Sequence, residues 1–146
     1  MSQAASTIDL ETSVGYLLKE ASSALRAAME GELRPLGMTI THYSCLELLA
    51  QRPGLSNSEL ARGAFVTRQS MNVLLQSLER DGLVRRADRA PSGRALPTEL
   101  TAAGRRQLAT ASAAVRGVED TMTQGLDQEA RRQVVTALRG FAAALR

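Results

Sequence analysis

Between Thr67 and Gly82 the apolar residues Met71, Leu74, Leu75 and Leu78 fall at i, i+3, i+4 and i+7, one unbroken stripe at the period of an α-helix. This stretch restricts the chain more than any other. Thr67 offers a capping hydroxyl at its start, and Gly82 tolerates the positive φ with which a helix turns into the next segment, here Leu83 and Val84. Just upstream, Ser56 and Glu59 stand at capping-box spacing, which predicts a second, short helix from about Asn57 to Gly63. Two helices this close in sequence, joined by the tight turn at Phe65 and Val66, must share one core.

After Gly82 a two-stranded ribbon is expected, rising over Leu83 to Ala87 and returning over Arg94 to Leu100, with Asp88-Arg-Ala-Pro-Ser-Gly as its exposed tip. Pro97 has no N–H for the ladder, so the returning strand is an edge strand or irregular there. The polar side of the Thr67 helix carries Arg68, Gln69, Asn72, Val73, Gln76 and Arg80. Asn and Gln can pair with an adenine edge in the major groove, Arg with guanine or phosphate, Ser and Thr with either. A polar helix face is more often merely solvated; position distinguishes this one, since the second helix after a tight turn is the one that enters the groove in helix-turn-helix proteins. Arg85, Arg86, Arg89 and Arg94 on the ribbon could lie on phosphates or in a narrow minor groove, or simply keep a hairpin soluble. The outline is a winged helix-turn-helix.

The order and spacing of several pieces resemble the MarR (multiple-antibiotic-resistance regulator) family of bacterial transcription factors. They are Thr39 with Tyr43 and Leu46; Leu55-Ser56 with Glu59-Leu60-Ala61; Val66-Thr67 with Gln69-Ser70-Met71-Asn72; Leu78-Glu79 with Gly82-Leu83-Val84 and Arg86; and Gly93-Arg94 followed by Leu100-Thr101 and Gly104. The tip departs from the family, carrying Ala90-Pro-Ser-Gly where paired aspartates are more usual. The resemblance implies a mainly α fold of about six helices plus a two-stranded β-wing, in an obligate-type homodimer that binds double-stranded DNA as a repressor. It also implies release by a small, often aromatic or phenolic, anionic effector bound where the first and second helices meet the fifth. Tyr16, Arg26, His42 and Tyr43 are the candidates there. On DNA, Thr67, Gln69, Ser70, Asn72 and Gln76 are expected on bases and Arg68, Arg86, Arg89 and Arg94 on phosphates or in the minor groove. Ser56 and Asn57 would add phosphate contacts at a helix N-terminus.

The ends of the chain supply the scaffold. From Ile8 the apolar residues recur through Leu10, Val14, Leu17, Leu18, Leu25, Met29 and Leu33, predicting one long helix that Pro35 and Gly37 end. Thr39 caps a helix with Tyr43, Leu46 and Leu49 inward. Thr101 caps a fifth helix striped by Leu108, Ala111, Val115, Val118 and Met122, and Asp127 a sixth with Val134, Val135, Leu138 and Phe141. Residues 1–146 then form a single unit in which 8–34 and 102–146 pair two copies and 39–101 meets DNA. These alanine-rich segments bury modest area each, so packing against a second copy is the natural way to take their stripes out of water; the alternative is a monomeric bundle of the three helices. A two-fold dimer would set half-sites about 10 bp apart. Charge agrees with this division: Arg52 to Arg106 holds ten arginines against five acidic residues, and the remainder eight basic against ten acidic.

Other chemistry finds little footing. His42 and Cys45 at i, i+3 could share a metal, but no other His or Cys exists to complete a zinc site, so no metal and no cofactor is expected. Cys45 could sense peroxide, although it lies beside an apolar stripe where a cysteine is commonly an inert hydrophobe. One histidine with no partnered nucleophile, no phosphate loop and no paired acids argue against an enzyme. No basic-then-apolar leader and no run of membrane-spanning length occurs, which predicts a cytoplasmic protein without a membrane partner. An architectural DNA-binding protein of low sequence preference, a redox sensor of the same fold and a protein–protein adaptor remain open beside the repressor.

Overall fold

The computed structural model describes residues 7–86 and 97–146. Its elements follow in the order α1 (Val14–Leu33), a 3-10 turn (Arg34–Leu36), α2 (Ile40–Gln51), α3 (Asn57–Gly63), α4 (Arg68–Arg80), β1 (Val84–Arg86), β2 (Thr98–Leu100), α5 (Ala102–Met122) and α6 (Gln128–Ala144). This is a winged helix-turn-helix with long helices at both ends. No helix among the described residues is long and apolar enough to cross a membrane.

Local signals set most boundaries. At the start of α3 the Ser56 hydroxyl accepts from the Glu59 N–H at 3.2 Å while the Glu59 carboxylate accepts from the Ser56 N–H at 2.9 Å. At the end of α4, Gly82 takes φ 73°. Its N–H donates to the Glu79 carbonyl at 3.0 Å and the Leu83 N–H to the Leu78 carbonyl at 2.9 Å, closing the helix in a left-handed turn. The first helix corrects the sequence reading: it begins at Val14, not near Ile8. Asp9 holds a turn there, accepting from the Glu11 N–H on its carboxylate and from the Thr12 N–H on its carbonyl. Ser13 then caps α1 by accepting from the Tyr16 N–H at 3.2 Å. Twenty residues give α1 a length of about 30 Å.

The core lies between α2, α3, α4 and the ribbon, closed by α5 and the end of α1. Leu33, Cys45, Leu46, Leu60, Met71 and Leu78 are sealed from solvent, and α5 adds Leu108, Ala111 and Val115. Each buried Leu or Met contributes about 1.5–3 kcal/mol relative to exposure. The ribbon is antiparallel, pairing Val84 with Leu100, Arg85 with Glu99 and Arg86 with Thr98. Among the described residues the ladder spans Val84–Arg86 and Thr98–Leu100, with Val84, Thr98 and Leu100 buried and Pro97 outside it. The expected strand ends at Ala87 and Arg94 to Leu96, and the whole tip, lie outside the described residues.

One junction ties α4 to α5. The Thr101 hydroxyl donates to the Gly82 carbonyl at 2.6 Å and accepts from the Gly104 N–H at 3.1 Å, and the Thr101 N–H donates to the Leu83 carbonyl at 3.1 Å. A Cβ at Gly104 would lie 2.1 Å from that same carbonyl oxygen, so only glycine fits. In contrast, α6 stands off from the rest of the chain, with no residue buried.

Candidate nucleic-acid interface

Burial fixes which way α4 faces. Met71, Leu75 and Leu78 point into the core, and Arg68, Gln69, Asn72, Val73, Gln76 and Arg80 are exposed on the opposite side. Val73 is 62% exposed in the middle of that polar face. Sequence reading gave it no role, but an outward β-branched side chain there suits a thymine methyl.

The N-terminus of α4 is fixed by Thr67, whose hydroxyl oxygen accepts from the Ser70 N–H at 3.0 Å while its O–H donates to the Ser70 hydroxyl at 3.0 Å. Two of the expected base readers therefore hold each other in place. The turn before them is strained: Phe65 adopts φ 60°, the left-handed region, and is 90% exposed. The N–H of Phe65 bonds the Arg62 carbonyl and that of Val66 the Ala61 carbonyl, the pattern in which glycine usually occupies the Phe65 position. Nothing in the sequence announced this.

Asn57 is half-buried at the first turn of α3, and its amide donates to the Asn72 carbonyl oxygen at 2.5 Å, bridging α3 and α4. Ser56 is engaged in the capping box, which places the Glu59 carboxylate at that helix start. On the ribbon, Arg85 pairs with Glu99 at 3.0 Å. Both are exposed, so the pair stabilises by at most about 1 kcal/mol, yet it neutralises a charge counted toward the basic wing. Arg86 is exposed on β1. Arg89 and Arg94 lie outside the described residues. A cleft of about 230 Å³ opens between α4 and the ribbon, lined among others by Asn57, Asn72, Gln76, Arg85, Arg86 and Thr98.

The four candidate effector residues do not converge on one cavity. Arg26 pairs with Glu30 on its own helix at 3.3 Å, and Tyr16 is 46% exposed on α1. His42 and Tyr43 both face α5 but separately. His42 Nε2 is 3.0 Å from Gln107 Oε1, and burial lowers the His42 pKa against the opposing pull of that hydrogen bond and of Asp81. Tyr43 donates to Glu47, which also accepts from Ser112 at 2.8 Å and from Gln51 at 2.9 Å. Burial works against the Glu47 charge, but these three donors and Arg116 hold its carboxyl below the usual range; burial and Glu47 together push the Tyr43 phenol well upward. Sequence reading missed Glu47, Gln107 and Ser112. A groove of about 710 Å³ runs between α1 and α5, lined by Ala21, Leu25, Ala28, Gly117, Val118 and Met122 with others, and includes none of the four.

Cys45 is sealed from solvent, and burial pushes its thiol up to about 12, the reverse of what a peroxide-reactive thiolate requires. No cluster of three or more metal-ligating side chains occurs among the described residues.

Comparison with known proteins follows the same lines. The sequence model of the MarR family matches residues 36–95. HTH-type transcriptional repressor Rv2887 of Mycobacterium tuberculosis is 42% identical over 120 residues, covering 82% of this chain and 86% of that one. A crystal structure of the M. tuberculosis MarR family protein Rv2887 in complex with DNA matches with a TM-score of 0.72 and 38% identity, covering 89% of this chain and 98% of that one. The complex of Rv2887 with salicylic acid gives a TM-score of 0.74 and 40% identity, covering 89% and 96%.

Proposed function

Because the chain belongs to the MarR family, we propose that it is a non-enzymatic transcriptional repressor whose homodimer binds a pseudo-palindromic operator and releases it when a small aromatic anion binds. One observation carries the reading: α4 is anchored by Met71, Leu75 and Leu78 while Gln69, Asn72 and Gln76 stand exposed on its outward face beside Arg68. Residues 39–101 form the DNA-binding region. Within it Thr67, Gln69, Ser70, Asn72 and Gln76 meet base edges, while Arg68, Arg86 and the tip residues Arg89 and Arg94 meet phosphates or the minor groove.

Residues 8–34 and 102–146 pair two copies. On α6, Val134, Val135, Leu138 and Phe141 are 40–47% exposed along one side, and the α1–α5 groove is walled by small residues that allow close approach. A second copy covers both and sets the two α4 helices about 10 bp apart, in successive major grooves. The effector binds where α1 and α2 meet α5, near His42 and Tyr43; the salicylic acid complex of a relative supports this chemical class. It acts by preferring a spacing of the heads that does not fit the operator, and shifts the population by no more than its differential affinity.

Fluorescence anisotropy on an operator selected from random duplexes tests the docking. Gln69→Ala lowers specific affinity by roughly 1–3 kcal/mol and relaxes sequence preference. Arg68→Ala weakens binding to every sequence and flattens the salt dependence by about one unit of slope. If neither variant changes binding, α4 is not the reading element; if operator and random DNA bind alike, the protein is architectural instead.

A further inference from the structure

A free asparagine reads adenine with both ends of its amide, donating to N7 and accepting from N6–H. Asn72 is not free in this way: its carbonyl oxygen accepts from the Asn57 amide, fifteen residues earlier in the chain. Asn57 in turn is held half-buried at the start of α3, where the Ser56–Glu59 capping box fixes the backbone on which it stands. The Asn72 side chain is exposed on the outward face of α4, and with its oxygen engaged by Asn57 the group left to meet a ligand is the NH2, a donor of two hydrogens and an acceptor of none.

We infer that Asn57 is a positioning residue that turns Asn72 from an adenine reader into a donor-only reader, so that the base opposite Asn72 is guanine. Guanine offers O6 and N7 side by side as acceptors in the major groove, whereas adenine sets its own N6–H donor against this NH2. This assigns Asn57 a role other than the phosphate contact its place at a helix start suggests. The inference rests on the proposed entry of α4 into the major groove and adds to it the identity of one base and the residue that dictates it.

Selection from a randomised duplex library, with the full chain and its variants, reads the outcome directly. Asn72→Ala identifies the position, as the one whose preference disappears while the rest of the selected sequence persists. At that position the unaltered protein favours guanine over adenine by roughly tenfold or more. Asn57→Ala frees the amide and moves the preference to adenine there alone. Asn57→Asp is nearly isosteric and suits a helix N-terminus, so it keeps the fold if Asn57→Ala does not. A carboxylate can only accept, which makes Asn72 donate inward and present its oxygen; adenine or cytosine then replaces guanine. The added charge weakens binding to all duplexes alike, so the base ratio and not the affinity is the readout. A role limited to holding α3 against α4 would lower affinity without changing which base is chosen. Adenine already preferred by the unaltered protein, or guanine retained in both Asn57 variants, overturns the inference and leaves the docking of α4 standing. If the unaltered protein enriches no sequence, both fall together.

Discussion

Among the described residues the buried aliphatic side chains all lie between Leu33 and Val115, and most large apolar side chains of the two ends are exposed. Leu46 and Leu60 in the head are fully sealed, whereas Val14 on α1 is 58% exposed and Leu138 on α6 is 44% exposed. Yet the two regions read alike in sequence, as apolar residues recurring at helical spacing. The difference is in what surrounds them. Residues 39–101 fold α2, α3, α4 and the ribbon back on one another, so every stripe meets another stripe. The terminal helices are too long for so small a head to cover, and α6 has no residue buried by its own chain. A periodic stripe thus fixes that a face will be buried, and topology decides by which molecule.

The sharpest way to break this contrast is to charge the outer stripe. Leu138→Asp together with Phe141→Asp, both exposed in a single chain, are expected to convert the dimer to a monomer by light scattering while the head keeps its helical circular dichroism. Operator affinity falls by roughly a hundredfold or more as the second head is lost. An unchanged mass with unchanged affinity would mean that α6 is solvated and the contrast is false. The opposite arm is Leu46→Ala, expected to cost about 2–5 kcal/mol in denaturant unfolding at any protein concentration, because the cavity forms inside one chain. A loss that shrinks as concentration rises would place Leu46 in the shared interface instead. The smallest effect is expected at the one strained turn of the head: Phe65→Gly removes a left-handed, non-glycine residue and should stabilise the chain by about 1 kcal/mol in the same assay. A loss of stability would show that the exposed ring contributes contacts that outweigh its backbone strain.

What sequence conveyed and what it withheld divide by range. The α3 capping box, the Thr67 cap, the stripe on α4 and the turn at Gly82 are each encoded within a few residues, and each is found where those residues predicted it. The start of α1 was misread because Ile8 and Leu10 keep the helical period, while Asp9 and Ser13 draw the backbone hydrogen bonds into a turn and a cap. Phe65 defeats a rule that looks for glycine at a left-handed helix end. The polar contacts were beyond reach for a different reason. Asn57 with Asn72, His42 with Gln107 and Ser112 with Glu47 are joined across 15 to 65 residues, and no spacing rule connects them. The residue types of the outward face were therefore legible, and their mutual restraint was not.

The Thr101 junction has a mechanical corollary. Its hydroxyl grips the Gly82 carbonyl while the bare Gly104 lets α5 rest directly against Leu83, so the start of one long rod is clamped to the end of α4. Rotation of α5 would be passed to α4 through this contact.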